Sequence, residues 1–161
     1  MKLYQKRIGF RYYDDRLVSI TDPCYNDNVW CRINGIKIIT GDYLCVAWRG
    51  RCYYTDENEK RRSYSKTFAC GIYLNGVIPD RNEMEEIGDI SVDAGIAGFF
   101  QDKPNFSDKE WGSFCYAIDA AGWNLVSKWG FCTESGYGDG CYPVYAHKNA
   151  DGDIDALEIR F

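Results

Sequence analysis

Three aspartates stand beside turn-forming residues in this chain: Asp22 before Pro23, Asp93 before Ala94-Gly95, and Asp139 between Gly138 and Gly140. If folding gathers them, Gly95, Gly98, Gly138 and Gly140 keep the surrounding walls low. The carboxylates then form an acidic pocket for a hard cation or for hydroxyl and amine donors. Paired carboxylates also do general acid–base work when one is held at raised pKa, so Asp22, Asp93 and Asp139 are candidates for a hydrolase or phosphodiesterase-like activity. The plainer reading of each is an aspartate whose side chain closes its own turn.

The densest glycine run is Ser135-Gly136-Tyr137-Gly138-Asp139-Gly140. Glycine reaches positive φ without strain and lets a backbone approach another group closely, so the run is either a shaped turn or a binding loop. Tyr137, Gly138, Asp139 and Gly140 are its candidate ligand contacts. A second candidate surface interleaves rings with cations at Trp48-Arg49-Gly50-Arg51-Cys52-Tyr53-Tyr54 and at Arg61-Arg62-Ser63-Tyr64. Bases stack on aromatic faces while guanidinium meets phosphate, which makes Trp48, Arg49 and Arg51 candidates for holding a small nucleotide-like anion. Alternation along adjoining strands writes the same text with no ligand.

Nucleophile and metal chemistry find less support. Cys24 and His147 are formally a thiol–imidazole pair, but His147 is the one histidine and nothing in the sequence brings the two together. The spacings Cys24-x6-Cys31, Cys45-x6-Cys52 and Cys132-x8-Cys141 lack the CxxC knuckle of a zinc site. Asn149, Asp151, Asp153 and Asp155 alternate as in a calcium loop. Gly152 nevertheless stands fourth where such a loop needs it sixth, and Arg160 stands where it needs glutamate, so a hairpin turn is expected. Neither a metal nor a cofactor is expected.

The whole chain sets bounds on these sites. Its 161 residues match one domain, 1–161, able to bury roughly 70% of its unfolded surface. Hydrophobic residues at 45% and 13 tyrosines exclude a disordered chain. A net charge of −5 conceals opposed halves: residues 1–66 hold 13 Lys+Arg against 8 Asp+Glu, and residues 67–161 hold 6 against 16. Such halves can complement one another within the fold, support a head-to-tail dimer, or leave a basic face for an anion. The acidic second half argues against long nucleic acid as a partner. Charges at Lys2, Lys6, Arg7, Arg11, Asp14, Asp15 and Arg16 break any signal-like apolar run, and no later stretch is long enough to span a bilayer. A cytoplasmic protein with eight reduced cysteines follows as the expectation.

Positioning these residues requires strands, which alternation predicts at Arg16 to Ile20, Val29 to Ile33, Tyr43 to Trp48 and Thr67 to Leu74, with a hairpin or meander at Asn34-Gly35. The charged stretch 55–66 reads as an exposed loop tip, and 83–87 as a short turn of helix. One main helix, about 107–121, opens on the capping box Ser107-Asp108-Lys109-Glu110 and carries Trp111, Phe114, Cys115 and Ile118 on one face. A C-terminal hairpin runs from Tyr142 to Lys148 and from Ile154 to Phe161, with Ile154, Ala156 and Leu157 inward. The expected class is α+β: a mostly antiparallel sheet or meander with one main helix.

Three segments resemble a family of small phage and bacterial proteins of unknown function: Ser91-Val92-Asp93-Ala94-Gly95-Ile96-Ala97-Gly98-Phe99, the run from Ser135 to Tyr142, and the terminal Ala156-Leu157-Glu158-Ile159-Arg160-Phe161. Thr21-Asp22-Pro23-Cys24-Tyr25, followed by Val29-Trp30-Cys31, is similar to the DPCY-type opening of uncharacterised phage proteins. The resemblance implies a phage or bacterial origin and brings no established activity. With no nucleophile beside a base, no metal cluster and no P-loop, the leading expectation is a non-enzymatic binding protein. It would contact a host protein or a small anionic ligand through the glycine-rich loop and the aromatic–basic surface. Inhibition of a host defence follows only by analogy with a phage setting. The three-aspartate enzyme and a structural or virion-associated protein stand as alternatives, and a monomer or a homodimer fits either.

Overall fold

The computed structural model describes residues 2–27, 29–101, 103 and 105–161. Its largest element pair is a long hairpin of β4 (Gly41–Thr55) and β5 (Arg61–Leu74). Their alternation gives each strand two apolar faces, with Tyr43, Cys45, Cys70 and Ile72 on one and Leu44, Val46 and Tyr73 on the other. Around them a six-stranded sheet forms in the order β1-β4-β5-β11-β10-β6, adding β1 (Tyr4–Tyr13), β6 (Glu85–Val92), β10 (Gly140–Lys148) and β11 (Ile154–Arg160). A five-stranded sheet has the order β3-β2-β7-β9-β8, from β2 (Val18–Thr21), β3 (Ile33–Ile36), β7 (Ile96–Phe100), β8 (Asn124–Val126) and β9 (Gly130–Glu134). All the strand pairs are antiparallel.

The two sheets enclose one core, to which the six-stranded sheet gives Tyr43, Ile72, Val144 and Leu157 and the five-stranded sheet gives Ile20, Phe99 and Phe131. Each outer face is also covered. Helix α1 (Asp108–Ala120) lies outside the five-stranded sheet and buries Phe114 and Ile118 against Ile96, Phe100 and Cys132. That is why β7, Ile-Ala-Gly-Phe-Phe, is buried at every residue. The 75–84 segment covers the opposite side, packing Ile78 and Met84 on Leu44, Val46, Tyr73 and Ala156. Arg81 fastens it by donating from Nε to the fully buried Glu158 carboxylate (2.8 Å), which also accepts from Arg160 Nε (2.6 Å) and the Tyr73 hydroxyl (2.7 Å).

The α+β expectation is overturned. Strand accounts for 54% of the chain and helix for 8%, so the fold is essentially all-β, with a single short helix as an external cover. Several boundaries move for physical reasons. The expected loop 55–66 contracts to a tip at 56–60, because a two-stranded ribbon can expose both faces and so accept charge along its length. Asn34-Gly35 lies inside β3 and makes no hairpin turn, and of the strand expected from Val29 to Ile33 only Ile33 is in a strand. The 83–87 segment enters strand β6 and forms no helical turn. In the terminal hairpin a register shift at His147/Lys148 leaves Ile154 and Leu157 on the central core and turns Ala156 to the outer face. No helix among the described residues is long and apolar enough to cross a membrane.

Candidate functional site

The glycine-rich run is the β9–β10 connection, and it straddles the free margin of β5 just beyond the last β11 pairing. Gly136 (φ 67°) passes so close to the Thr67 carbonyl that a Cβ there would collide with it, so the position needs glycine on both counts. On one side of this crossing Glu134 accepts from the Thr67 hydroxyl (2.8 Å) and pairs with Arg49 Nη1 (3.1 Å). On the other, the Tyr137 ring lies against Phe68 (centroids 5.9 Å apart) and under the Lys66 ammonium (3.2 Å). The loop closes on itself through the Ser135 hydroxyl and the Tyr142 hydroxyl, which both donate to the Gly138 carbonyl (2.6 and 2.9 Å). Tyr137, Asp139 and Gly140 are left exposed.

Beyond this junction the β4–β5 ribbon continues as an arm. From the Arg51–Ser65 pairing to the Thr55–Arg61 pairing no other strand flanks it. Tyr53, Tyr54 and Tyr64 are each about half exposed. Cross-strand geometry puts the Arg61 guanidinium over the Tyr53 ring (4.3 Å) on one face and sets Tyr54 edge-on to Tyr64 (6.0 Å) on the other. The tip is fixed by Asp56, whose carboxylate accepts from the backbone N–H groups of Asn58 and Lys60 and pairs with Arg62 (2.7 Å). The Asp56 carboxyl is held below its usual range by Arg62 first and then by the Lys60 N–H.

The structure thus brings together two patches that lie far apart in sequence, the glycine loop and Arg49. It separates Trp48 from them. Trp48 belongs to the outer cluster on the opposite face, where its indole N–H donates to the Tyr73 hydroxyl (2.7 Å) and Arg81 lies over its ring. Arg51 stands exposed on the arm. Lys66 and Glu134, which hold the loop to the arm, were not singled out from sequence. Their roles depend on a pairing register that local text does not show.

The three aspartates do not form a shared carboxylate pocket. Asp22 is fully buried, and its oxygens accept from the backbone N–H groups of Cys24 (2.8 Å), Asp93 (2.8 Å) and Ala94 (2.6 Å). It therefore ties the first motif to the backbone of the second, while the side chains of Asp93 and Asp139 face solvent. The second and third motifs also touch, since Ser135 N–H donates to the Gly95 carbonyl (2.8 Å) and the Cβ position of Gly95 lies 3.9 Å from the Gly138 Cα. A cleft of about 310 Å³ opens there between Ala94, Gly95, Trp123, Glu134, Gly136 and Gly138. Gly98 has no part in it. Gly98 sits in β7, where a Cβ would strike the Phe131 carbonyl of β9.

Cys24 is no poised nucleophile, because burial and the neighbouring Asp22 carboxylate push its thiol well above the ordinary range. His147 instead contacts Asp155 across the terminal hairpin (2.6 Å). Asn149 closes that hairpin by accepting from Asp151 and Asp153 N–H (2.9 and 3.0 Å), so the alternating acidic run is a turn. Among the described residues no group of three or more His, Cys, Asp or Glu could hold a metal ion. A larger groove of about 590 Å³, unforeseen from sequence, runs beside α1 between Phe114, Ala117, Leu125 and Trp129. Its rim hydroxyls, Ser107, Ser113 and Ser127, are spent on neighbouring protein groups.

In comparisons with protein-family models, curated proteins and solved structures, no match to this chain is found. The resemblance to small phage and bacterial proteins therefore rests on the motifs alone.

Proposed function

We propose that this protein is a non-catalytic binding protein that grips a partner protein with the β4–β5 arm and the glycine loop seated at its base. The observation that carries the reading is the arm itself: a ribbon free of the sheet, fixed at tip and base, with Tyr53, Tyr54 and Tyr64 half exposed beside Arg51 and Arg61. Tyrosine and arginine are the residues that concentrate binding energy at protein interfaces, and a ribbon pinned at both ends loses little freedom on binding. The cleft beside the loop suits a nucleotide less well, because its charged wall is the Glu134 carboxylate and its nearest guanidinium, Arg49, is already paired to that group. An aspartate-based hydrolase draws no support from Asp22, whose carboxylate is committed to backbone donors. In the phage setting implied by the motifs the partner is a host protein, a step made by analogy.

The experiment is affinity capture from bacterial lysate, with the retained protein identified by mass spectrometry and its affinity then measured. Paired substitution Tyr53→Ala/Tyr64→Ala is expected to weaken that affinity at least tenfold, Tyr137→Ala several-fold, and neither to change the melting temperature by more than a few degrees. A partner retained equally by the folded arm variant sinks the assignment. A thermal shift with nucleotides in place of a protein partner overturns it in favour of the small-ligand reading.

A further inference from the structure

We infer that the open edge of β1 accepts an acidic peptide in extended conformation as an added strand of the six-stranded sheet. This surface is separate from the arm. β1 ends the sheet, is ten residues long, and pairs on one side only, with β4. The other terminal strand, β6, is itself acidic, carrying Glu85, Glu86 and Asp89, and its Ser91 N–H donates outside the sheet to the Cys31 carbonyl (2.9 Å). The edges of the five-stranded sheet, β3 and β8, are four and three residues long. β1 is thus the longest of the four marginal strands, and its unpaired row of backbone donors and acceptors is a template for another chain.

The charge on this edge selects the occupant. Residues 1–13 include Lys2, Lys6, Arg7 and Arg11 and no carboxylate. Arg11 is committed, donating to the Ser127 and Lys128 carbonyls (3.2 and 2.9 Å), and so anchors the C-terminal end of β1 to the β8–β9 turn. Lys6 and Arg7 are exposed and take part in no ion pair among the described residues. A second copy of β1 would lay these cations against their own kind, a destabilising cross-strand arrangement. Charge of this sort guards an edge against self-pairing, and the same charge leaves it open to a strand of opposite sign. Exposed rings at Tyr4, Phe10 and Tyr12 offer apolar contact to the alternate side chains of such a strand. The stretch from Tyr4 to Phe10 spans roughly 20 Å, room for a short linear peptide.

The test is fluorescence anisotropy of a labelled peptide of alternating glutamate and valine, against a second peptide of equal charge with prolines at alternate positions. Hydrogen exchange of the complex locates the contact. The first peptide is expected to bind with an affinity that falls at high salt and to slow exchange at residues 4–10. Paired substitution Lys6→Glu/Arg7→Glu should weaken it at least tenfold, and the proline peptide should not bind. The arm variant Tyr53→Ala/Tyr64→Ala should bind the peptide as the unsubstituted chain does, so this inference and the arm reading can fail independently. Absence of binding by the unsubstituted chain overturns the inference. So does equal binding of the proline peptide, which would mean charge attraction without strand pairing, or protection confined to the arm.

Discussion

Asp22 shows how one side chain can look catalytic in sequence and be architectural in space. Its carboxylate satisfies three backbone N–H groups, two of them in a loop 71 and 72 residues further along. Replacing it by alanine takes the acceptor from three donors in a half-buried setting, each loss costing about 1 kcal/mol, so Asp22→Ala should lose about 3 kcal/mol. Asp22→Asn keeps one acceptor oxygen and should fall between the two. Urea unfolding measures both, and an Asp22→Ala chain as stable as the original would mean that these bonds hold nothing together. The sequence marked Asp22, Asp93 and Asp139 alike because each borders a turn. What separates them is the identity of their donors, which belong to distant backbone and leave no trace in local text.

At the scale of elements, α1 was legible because its signals are local. Ser107 and Glu110 form the box that the sequence spells, with Ser107 N–H donating to the Glu110 carboxylate (2.8 Å) and Glu110 N–H to the Ser107 hydroxyl (3.4 Å). Those bonds, from the Ser107 N–H first and its hydroxyl second, hold the Glu110 carboxyl below its usual value. The sign follows: the unfolded chain takes up the proton first as pH falls, so this contribution is present above pH 4.5 and is lost as the folded carboxyl protonates. Glu110→Gln keeps an acceptor without the charge, so its melting temperature should lie below that of the original at pH 7, and the gap should close as pH falls below 4.5. A gap that persists unchanged in acid would assign the effect to packing. The strands were harder to read. β1 mixes Lys6, Arg7, Gly9 and Arg11 with rings and carries a bulge, so it never alternates cleanly. β7 is apolar throughout because both of its faces are covered. Strands of these two kinds escape a period-two reading, and their omission is what made one helix look like half of an α+β fold.

The whole molecule has one core shared by two sheets, and its cysteines can report whether it opens as one unit. Cys45 on β4 and Cys70 on β5 lie in that core, Cys132 on β9 lies beneath α1, and all three are buried, whereas Cys141 is exposed. Thiolate is the reactive form, and burial drives the Cys45 thiol up to about 12 and the Cys70 and Cys132 thiols above their ordinary values as well. Cys141 should therefore react first with an alkylating reagent at pH 8, and Cys45, Cys70 and Cys132 only through opening of the structure. If the sheets unfold together, Cys45, Cys70 and Cys132 share one opening free energy, and a destabilising change at Asp22 lowers it for all three by the same amount. Peptide mapping after timed alkylation measures each site. Cys132 reacting ahead of Cys45 and Cys70 would show α1 and its sheet opening separately, leaving the six-stranded sheet and the arm as the more stable part.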